Sequence, residues 1–302
     1  MKNINWIVTS GNSKVEKDKI VYEPKTITNQ LGKEEILSSV VKSNIEFESG
    51  EISFKVVSED IYGRCQIVFN YDESPMVLVG LNVANALYGI SRFNSKTNDF
   101  ETLSATGISE TFDTKSEYEI CVKVNGSIIE LFVNSVLVST GYDRILPSQM
   151  TLFFSSNAKI TVRDVKIVPV KPKAFIVMQF TDEYNDLYTE VIKPVVEDFG
   201  FECERADEAH TTNPILQDII QSIRESSVII ADITPNNTNV FYEVGYAHAS
   251  NKSTILLCDR KRDKLPFDIS GFRTLFYDNT IAGKGLVEKS LRKYLENLTI
   301  NK

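Results

Sequence analysis

Histidine is almost missing from this chain: His210 and His248 are the two in 302 residues. Cysteine is nearly as sparse. Cys65, Cys121, Cys203 and Cys258 lie far apart and form no Cys-x-x-Cys pair. Without clustered His and Cys ligands, no metal site is expected. The same spacing fits buried, reduced thiols rather than a disulfide framework, and so a reducing compartment. No run of 18 apolar residues is present, so no membrane-spanning helix is expected. The opening MKNINWIVTSGN lacks the apolar core of a secretory signal, and a cytoplasmic protein is the expectation. Basic residues do not dominate either. Lys and Arg total 33 against 41 Asp and Glu, a net charge of -8. That balance argues against a nucleic-acid backbone or an anionic membrane as the main partner. Tryptophan occurs once, at Trp6, and no internal repeat or low-complexity tract is visible.

What is present divides into two rhythms, as a chain of this length permits. From about Trp6 to Val168 the pattern alternates with period two. In GEISFKVV, residues Ile52, Phe54 and Val56 alternate with polar neighbours; in YEICVKV, residues Tyr118, Ile120, Val122 and Val124 share a face. Alternation of this kind describes strands with one face buried and one wet. Asn125-Gly126 sits between two such runs and favours a tight hairpin turn. Asn134-Ser135 marks the next turn, giving a meander of three strands. KITVRDVKIV is one more strand, and its apolar phase slips at Arg163-Asp164, as at a bulge. With no long amphipathic helix, this half reads as an antiparallel β-sandwich of jelly-roll type. VPVKPK, with two prolines, marks the boundary. It separates a domain over 1–170 from one over 171–302.

Beyond that boundary the runs become continuous. AFIVMQF, SVIIADI and STILLCD are apolar throughout, as in strands covered on both faces. FECERA and RTLFYD add two shorter strands. Helical patterns fall between them: about 185–199, then ILQDIIQSIRES behind a cap at Asn213-Pro214, a helix opening near Asn239, and GLVEKSLRKYLENL at the end. Pro194 interrupts the first of these and predicts a kink or a shifted start. Alternating β and α elements predict a flavodoxin-like parallel sheet with helices on both faces.

In such sheets ligands bind beyond the carboxyl ends of the strands. Gln179, Phe180, Arg205, Asp207, Asp232, Thr234 and Asp259 stand at those ends. Glu243 joins them if the polar loop 235–238 brings the chain back to the same edge. Capped by Thr238 or Asn239, a first-turn carboxylate is favoured in its ionised form by about 0.3–1 kcal/mol. An ionised carboxylate in a crevice suits a nucleophile or a stabiliser of an oxocarbenium-like cation. The plain alternative is a solvated glutamate near a helix start, with Asp232 a turn cap and Arg205 a surface ion pair. His248 has no acid partner in the pattern and reads as structural.

Four segments in order, FIVMQF, ERADE, ADITPNNTNVFYEVGYAHASNK and PFDISGFRTLFYD, make residues 173–279 resemble the nucleoside 2-deoxyribosyltransferase-like superfamily, and more closely its bacterial TIR-like relatives. The resemblance implies that Glu243, in YEVGYA, is the catalytic residue acting at the anomeric carbon of a nucleoside, nucleotide or dinucleotide. Asn237 stands where the transferases carry a sugar-contacting aspartate. An amide binds a hydroxyl but cannot act as a base, so nucleoside transfer is kept only as an alternative. GEISFKV and VNGSIIELFVNS make residues 40–168 resemble concanavalin-like, laminin-G-type sandwiches.

These resemblances imply an N-glycosidase acting on a nucleotide, with NAD+ as substrate rather than cofactor. Glu243 would be nucleophile or cation stabiliser. Asp232 and Asn239, with Asn237, would hold ribose hydroxyls, and Arg205 would face a phosphate. Met178, Gln179, Phe180 and Tyr242 would line the nucleotide. The pairing with a sandwich suggests a regulated effector in antiviral defence, with an unknown trigger at the first domain and a homo-oligomer that completes the site. A nucleotide-binding sensor without catalysis is the rival reading of the same crevice.

Overall fold

The computed structural model describes the chain apart from residues 1–3, 29–31, 72, 74, 209–213, 263 and 301–302. The chain forms two compact units, the second running from Lys171.

The first unit is an antiparallel sandwich of two seven-stranded sheets. One sheet orders Trp6–Ser10, Ser39–Phe47, Ser148–Ser155, Arg64–Phe69, Met76–Val83, Ala86–Asn94 and Asp99–Thr106. The other orders Val136–Tyr142, Ile128–Val133, Tyr118–Asn125, Gly50–Ser58, Ile160–Pro169, Lys19–Tyr22 and Ser13–Val15. The period-two residues meet between the sheets: Ile52, Phe54, Val56, Ile120 and Val122 on one side, Cys65, Ile67, Phe69, Val79 and Leu81 on the other. Each such side chain withdrawn from water contributes about 1.5–3 kcal/mol.

The turn chemistry explains the strand order. Asn134 and Ser135 both take left-handed angles, φ +48° and +66°, as a two-residue hairpin turn requires. The preceding turn lies one residue later than its Asn-Gly pair suggests: Asn125 is still in its strand, and Gly126 takes φ +59°. The bulge stands where the apolar phase slips. The register with Gly50–Ser58 shifts between Arg163 and Lys166, and Asp164 has φ +55°.

The second unit carries a five-stranded, wholly parallel sheet. In chain order its strands are β1 (Lys173–Val177), β2 (Glu202–Arg205), β3 (Val228–Asp232), β4 (Ser253–Asp259) and β5 (Thr274–Tyr277). Their spatial order is β2-β1-β3-β4-β5. Helices cover both faces. α1 (Asp182–Leu187), α2 (Lys193–Asp198) and a long helix over Ile281–Ile300 pack against Ala174, Ile176, Val228, Ile230 and Leu257. α3 (Ile215–Glu225) and α4 (Thr238–Ala249) pack against Phe175, Val177, Ile229, Ala231 and Leu256. The continuous apolar runs are thus two alternating faces, each with its own layer of helices. The strand order reverses between β1 and β3, which puts the topological switch point at their carboxyl ends.

The first helical segment starts at Asp182, earlier than its pattern suggests. It widens to a π-helical turn at Tyr188–Ile192 just before Pro194. There Lys193 N–H reaches the carbonyl of Tyr188, five residues back. A proline lacks the N–H that α-helical spacing needs, and the wider turn takes up that mismatch. Pro214 directly precedes α3, with φ -58° and ψ 127°; Asn213, read as its cap, lies outside the described residues, as does His210.

The left-handed turn gives a direct test. Ser135→Gly leaves stability unchanged or raises it, whereas Ser135→Val lowers it by about 1 kcal/mol, because a β-branched residue resists positive φ. Urea denaturation of the two variants measures the difference.

Candidate active site at the sheet switch point

Asn237 organises the edge. Its Oδ1 accepts the N–H of Asn239 at 3.0 Å, so Asn237 itself is the N-cap of α4, in place of Thr238 or Asn239. Its Nδ2 donates to Gln179 Oε1 at 3.3 Å. One amide therefore starts the helix and ties the loop after β3 to the loop after β1.

With the cap at Asn237, Glu243 is the sixth residue of α4 and sits in its second turn. The helix-terminus argument for an ionised first-turn carboxylate therefore fails. The solvated alternative fails as well. Glu243 is 9% exposed and lies on the buried stripe with Val240, Val244 and Ala247, the residues that pack on the sheet. Helical side chains lean toward the helix N-terminus, which inclines Glu243 toward the strand ends. Among the described residues it makes no hydrogen bond and no ion pair, and burial alone pushes its carboxyl up to about 7.

Asp232 is in a different state. It is 1% exposed; Oδ1 accepts the Thr234 N–H at 2.9 Å and its hydroxyl at 2.5 Å, and Oδ2 accepts the Tyr277 hydroxyl at 3.0 Å. Burial pushes its pKa up, and the bonds from Thr234 and Tyr277 oppose that. Thr234 Oγ1 also accepts the Asp259 N–H at 2.8 Å, so the ends of β3, β4 and β5 are joined. Asp232 is committed to this network, a correction to its reading as a ribose ligand.

Arg205 is likewise engaged. Nε and Nη2 form a fork on Asp207 at 2.6 and 2.8 Å, and Nη1 donates to Asn185 Oδ1 at 3.0 Å. Its guanidinium carbon lies 4.1 Å from the centre of the Tyr188 ring and 5.4 Å from that of Phe180. At 8% exposure it braces the edge of β2 instead of offering a free phosphate site. Met178 is buried in the core against α1 and does not line the crevice. The residues that reach solvent are Asn239, Tyr242 at 51% exposure and Phe180 at 46%.

Arg262 is a site residue that the pattern did not reveal. Nη1 donates to the carbonyl of Ile233, to that of Thr234 at 2.9 Å and to that of Pro235 at 3.1 Å. Its guanidinium also lies 5.4 Å from the centre of the Phe241 ring. It holds the loop that leads into α4. In sequence it is one member of the charge run RKRDK, which reads as a solvated turn. His248, read as structural, stacks on Phe272 with centroids 4.0 Å apart, and burial lowers its pKa. Lys252 closes the far end of α3 through the carbonyls of Arg224 and Ser226 at 2.6 and 2.7 Å; burial pushes it down to about 7.

No protein-family model matches the sequence, and no curated protein matches it. Solved structures similar to the first unit include a carbohydrate-binding module from Bacillus subtilis, at 12% identity and a TM-score of 0.42, covering 53% of this chain and 92% of that one. A β-1,3-1,4-glucanase (lichenase) from a mouse hindgut metagenome is similar at 9% identity and TM-score 0.39, covering 53% and 90%. A Bacillus licheniformis β-glucanase is similar at 10% identity and TM-score 0.35, covering 54% and 92%. At these values the likeness says nothing about what the unit binds. None of these comparisons supports the expected resemblance of the second unit to deoxyribosyltransferase-like and TIR-like proteins.

The raised pKa of Glu243 has a consequence for stability. A carboxyl that holds its proton to about 7 when folded, against 4.5 as its ordinary value, binds more protons in the folded state between those pH values. Stability therefore falls as pH rises from 4.5 to 7 and stays lower above. Glu243→Gln removes that penalty. At pH 8 it raises unfolding free energy by on the order of 2–3 kcal/mol, and at pH 4.5 by little. Urea melts at both pH values read the difference.

Proposed function

We propose that the second unit cleaves the N-glycosidic bond of a nucleotide, with NAD+ as the first candidate substrate. The observation that carries this reading is Glu243: a carboxyl group buried on the sheet-facing stripe of α4 and, among the described residues, without a partner. A desolvated, unpaired carboxylate is unfavourable until a positive charge joins it. A nicotinamide ribosyl group brings such a charge, and a ribosyl oxocarbenium ion concentrates it at the anomeric carbon.

In this reading the ionised Glu243 attacks or supports C1′ while the electrons of the C1′–N bond leave with nicotinamide. That base departs neutral and needs no proton, so the step asks for no general acid. Water then takes the ribosyl group, giving ADP-ribose and a proton. In this reading the exposed Asn239 binds a ribose hydroxyl, and the exposed Phe180 and Tyr242 stack on a base. The amide bridge of Asn237 and Gln179 and the Arg262 clamp keep the loop in position without touching the chemistry.

Incubation with NAD+ tests the proposal. Release of nicotinamide rises with pH through about 7, following ionisation of Glu243. Glu243→Gln lowers it by at least about a hundredfold with the ligand still bound. Binding without release in the wild type supports the rival reading, a nucleotide sensor. A new nucleoside on addition of a free base indicates transfer.

A further inference from the structure

The outer face of the first sheet in the sandwich departs from the wet surface that alternation leads one to expect. Along Arg64–Phe69, residues Cys65, Ile67 and Phe69 enter the core, so Arg64, Gln66 and Val68 point outward. Met76 and Leu78 do the same on the next strand, and Phe93, Phe100 and Phe153 on others. An exposed sheet face normally carries polar residues at these positions. Here they line a trough of about 540 Å³, a volume within the range of small-molecule sites.

The register shows how the trough is shaped. One row across the strands runs Val40, Phe153, Gln66, Gly80, Gly89. A Cβ on Gly80, which has φ +144°, would lie 2.5 Å from the Cys65 carbonyl; one on Gly89 would lie 2.9 Å from that of Val83. Two adjacent positions in the row that contains the lining residue Gln66 are therefore held without side chains. The neighbouring row, Val68, Leu78, Ser91, Thr102, gives a side that is apolar at Val68 and Leu78 and hydroxylic at Ser91 and Thr102. Phe93 and Phe100, with centroids 4.5 Å apart, form an aromatic wall.

Two of the polar side chains that line the trough are committed. Gln66 Nε2 donates to the carbonyls of Leu81 and Asn82 at 3.3 and 2.9 Å. Asn82 Nδ2 donates to those of Ile61 and Gly63 at 3.0 and 2.8 Å, and its Oδ1 accepts from Ser109 at 2.6 Å. Arg64 is the only charged residue among the described ones lining the trough, and among the described residues it has no ion pair or hydrogen bond.

We propose that this trough binds a small amphipathic anion: an aromatic or acyl body against Leu78, Phe93 and Phe153, with one anionic group on Arg64. The site lies outside the switch-point chemistry and stands independently of it.

Calorimetry on the full chain with 8-anilinonaphthalene-1-sulfonate tests the proposal, with N-phenyl-1-naphthylamine as the uncharged counterpart. The sulfonate binds one to one, and the Gly80 and Gly89 amide signals of the wild-type protein shift with it. Arg64→Gln weakens the sulfonate about three- to tenfold and leaves the uncharged probe within about twofold. Thr102→Trp, which fills the trough from an exposed position, weakens both. The proposal is overturned if the glycine signals stay fixed, if Arg64→Gln affects both probes alike, or if a neutral β-glucan tetrasaccharide displaces the sulfonate.

Discussion

A carboxyl group on the sheet-facing stripe of a helix has to be neutral, paired or waiting for a charge. Glu243 has Val240, Val244 and Ala247 as companions on that stripe and has no partner among the described residues. An apolar side chain there would pack with less penalty, because burial of an unpaired charge disfavours its ionised form. Holding the carboxyl in this position therefore lowers stability at neutral pH. Active sites accept such a penalty when the group acts on a ligand.

Everything around Glu243 holds it in place. Asn237 sets where α4 begins and so fixes the turn on which Glu243 falls. Arg262 fixes the loop from Ile233 to Pro235 from the other side. Below them, Asp232, Thr234, Tyr277 and Asp259 close a buried network in which the hydroxyls and both Asp232 oxygens are satisfied. Asp232 is thus tied down by three hydrogen bonds, whereas Glu243 has none among the described residues. In the proposed reading that contrast separates framework from reactive group, and a rigid surrounding shell is what preorganised chemistry requires.

The architecture was legible because periodicity reports burial directly. The alternation at Ile52, Phe54 and Val56 and the continuous run Ala174–Val177 each describe how many faces of a strand are covered. The Asn134-Ser135 turn and the Arg163-Asp164 bulge were legible for local reasons, positive φ and a slipped phase. The site was legible only in part. Glu243 was visible by its place after a strand and a polar loop, but its environment was not. One residue's difference in the cap moved it from a helix terminus, where a dipole favours charge, to a buried turn, where desolvation opposes it. Asp232 and Arg205 look equally reactive in sequence. Their nearer partners, Thr234 and Asp207, stand two residues away, as the turn-cap and ion-pair alternatives allow; the others, Tyr277 at 45 residues and Asn185 at 20, are encoded by no local pattern. Arg262 was hidden for the same reason, since its partners are backbone carbonyls.

The most direct measurement of the central claim is the titration of the Glu243 side-chain carboxyl by carbon-13 NMR, assigned against Glu243→Gln, with and without NAD+. The predicted result is a midpoint near 7 in the free protein, displaced downward when the positively charged nicotinamide ring of NAD+ is bound. A midpoint near 4.5 that NAD+ leaves unchanged would mean a solvated carboxylate with no role toward a cation, and would contradict the account.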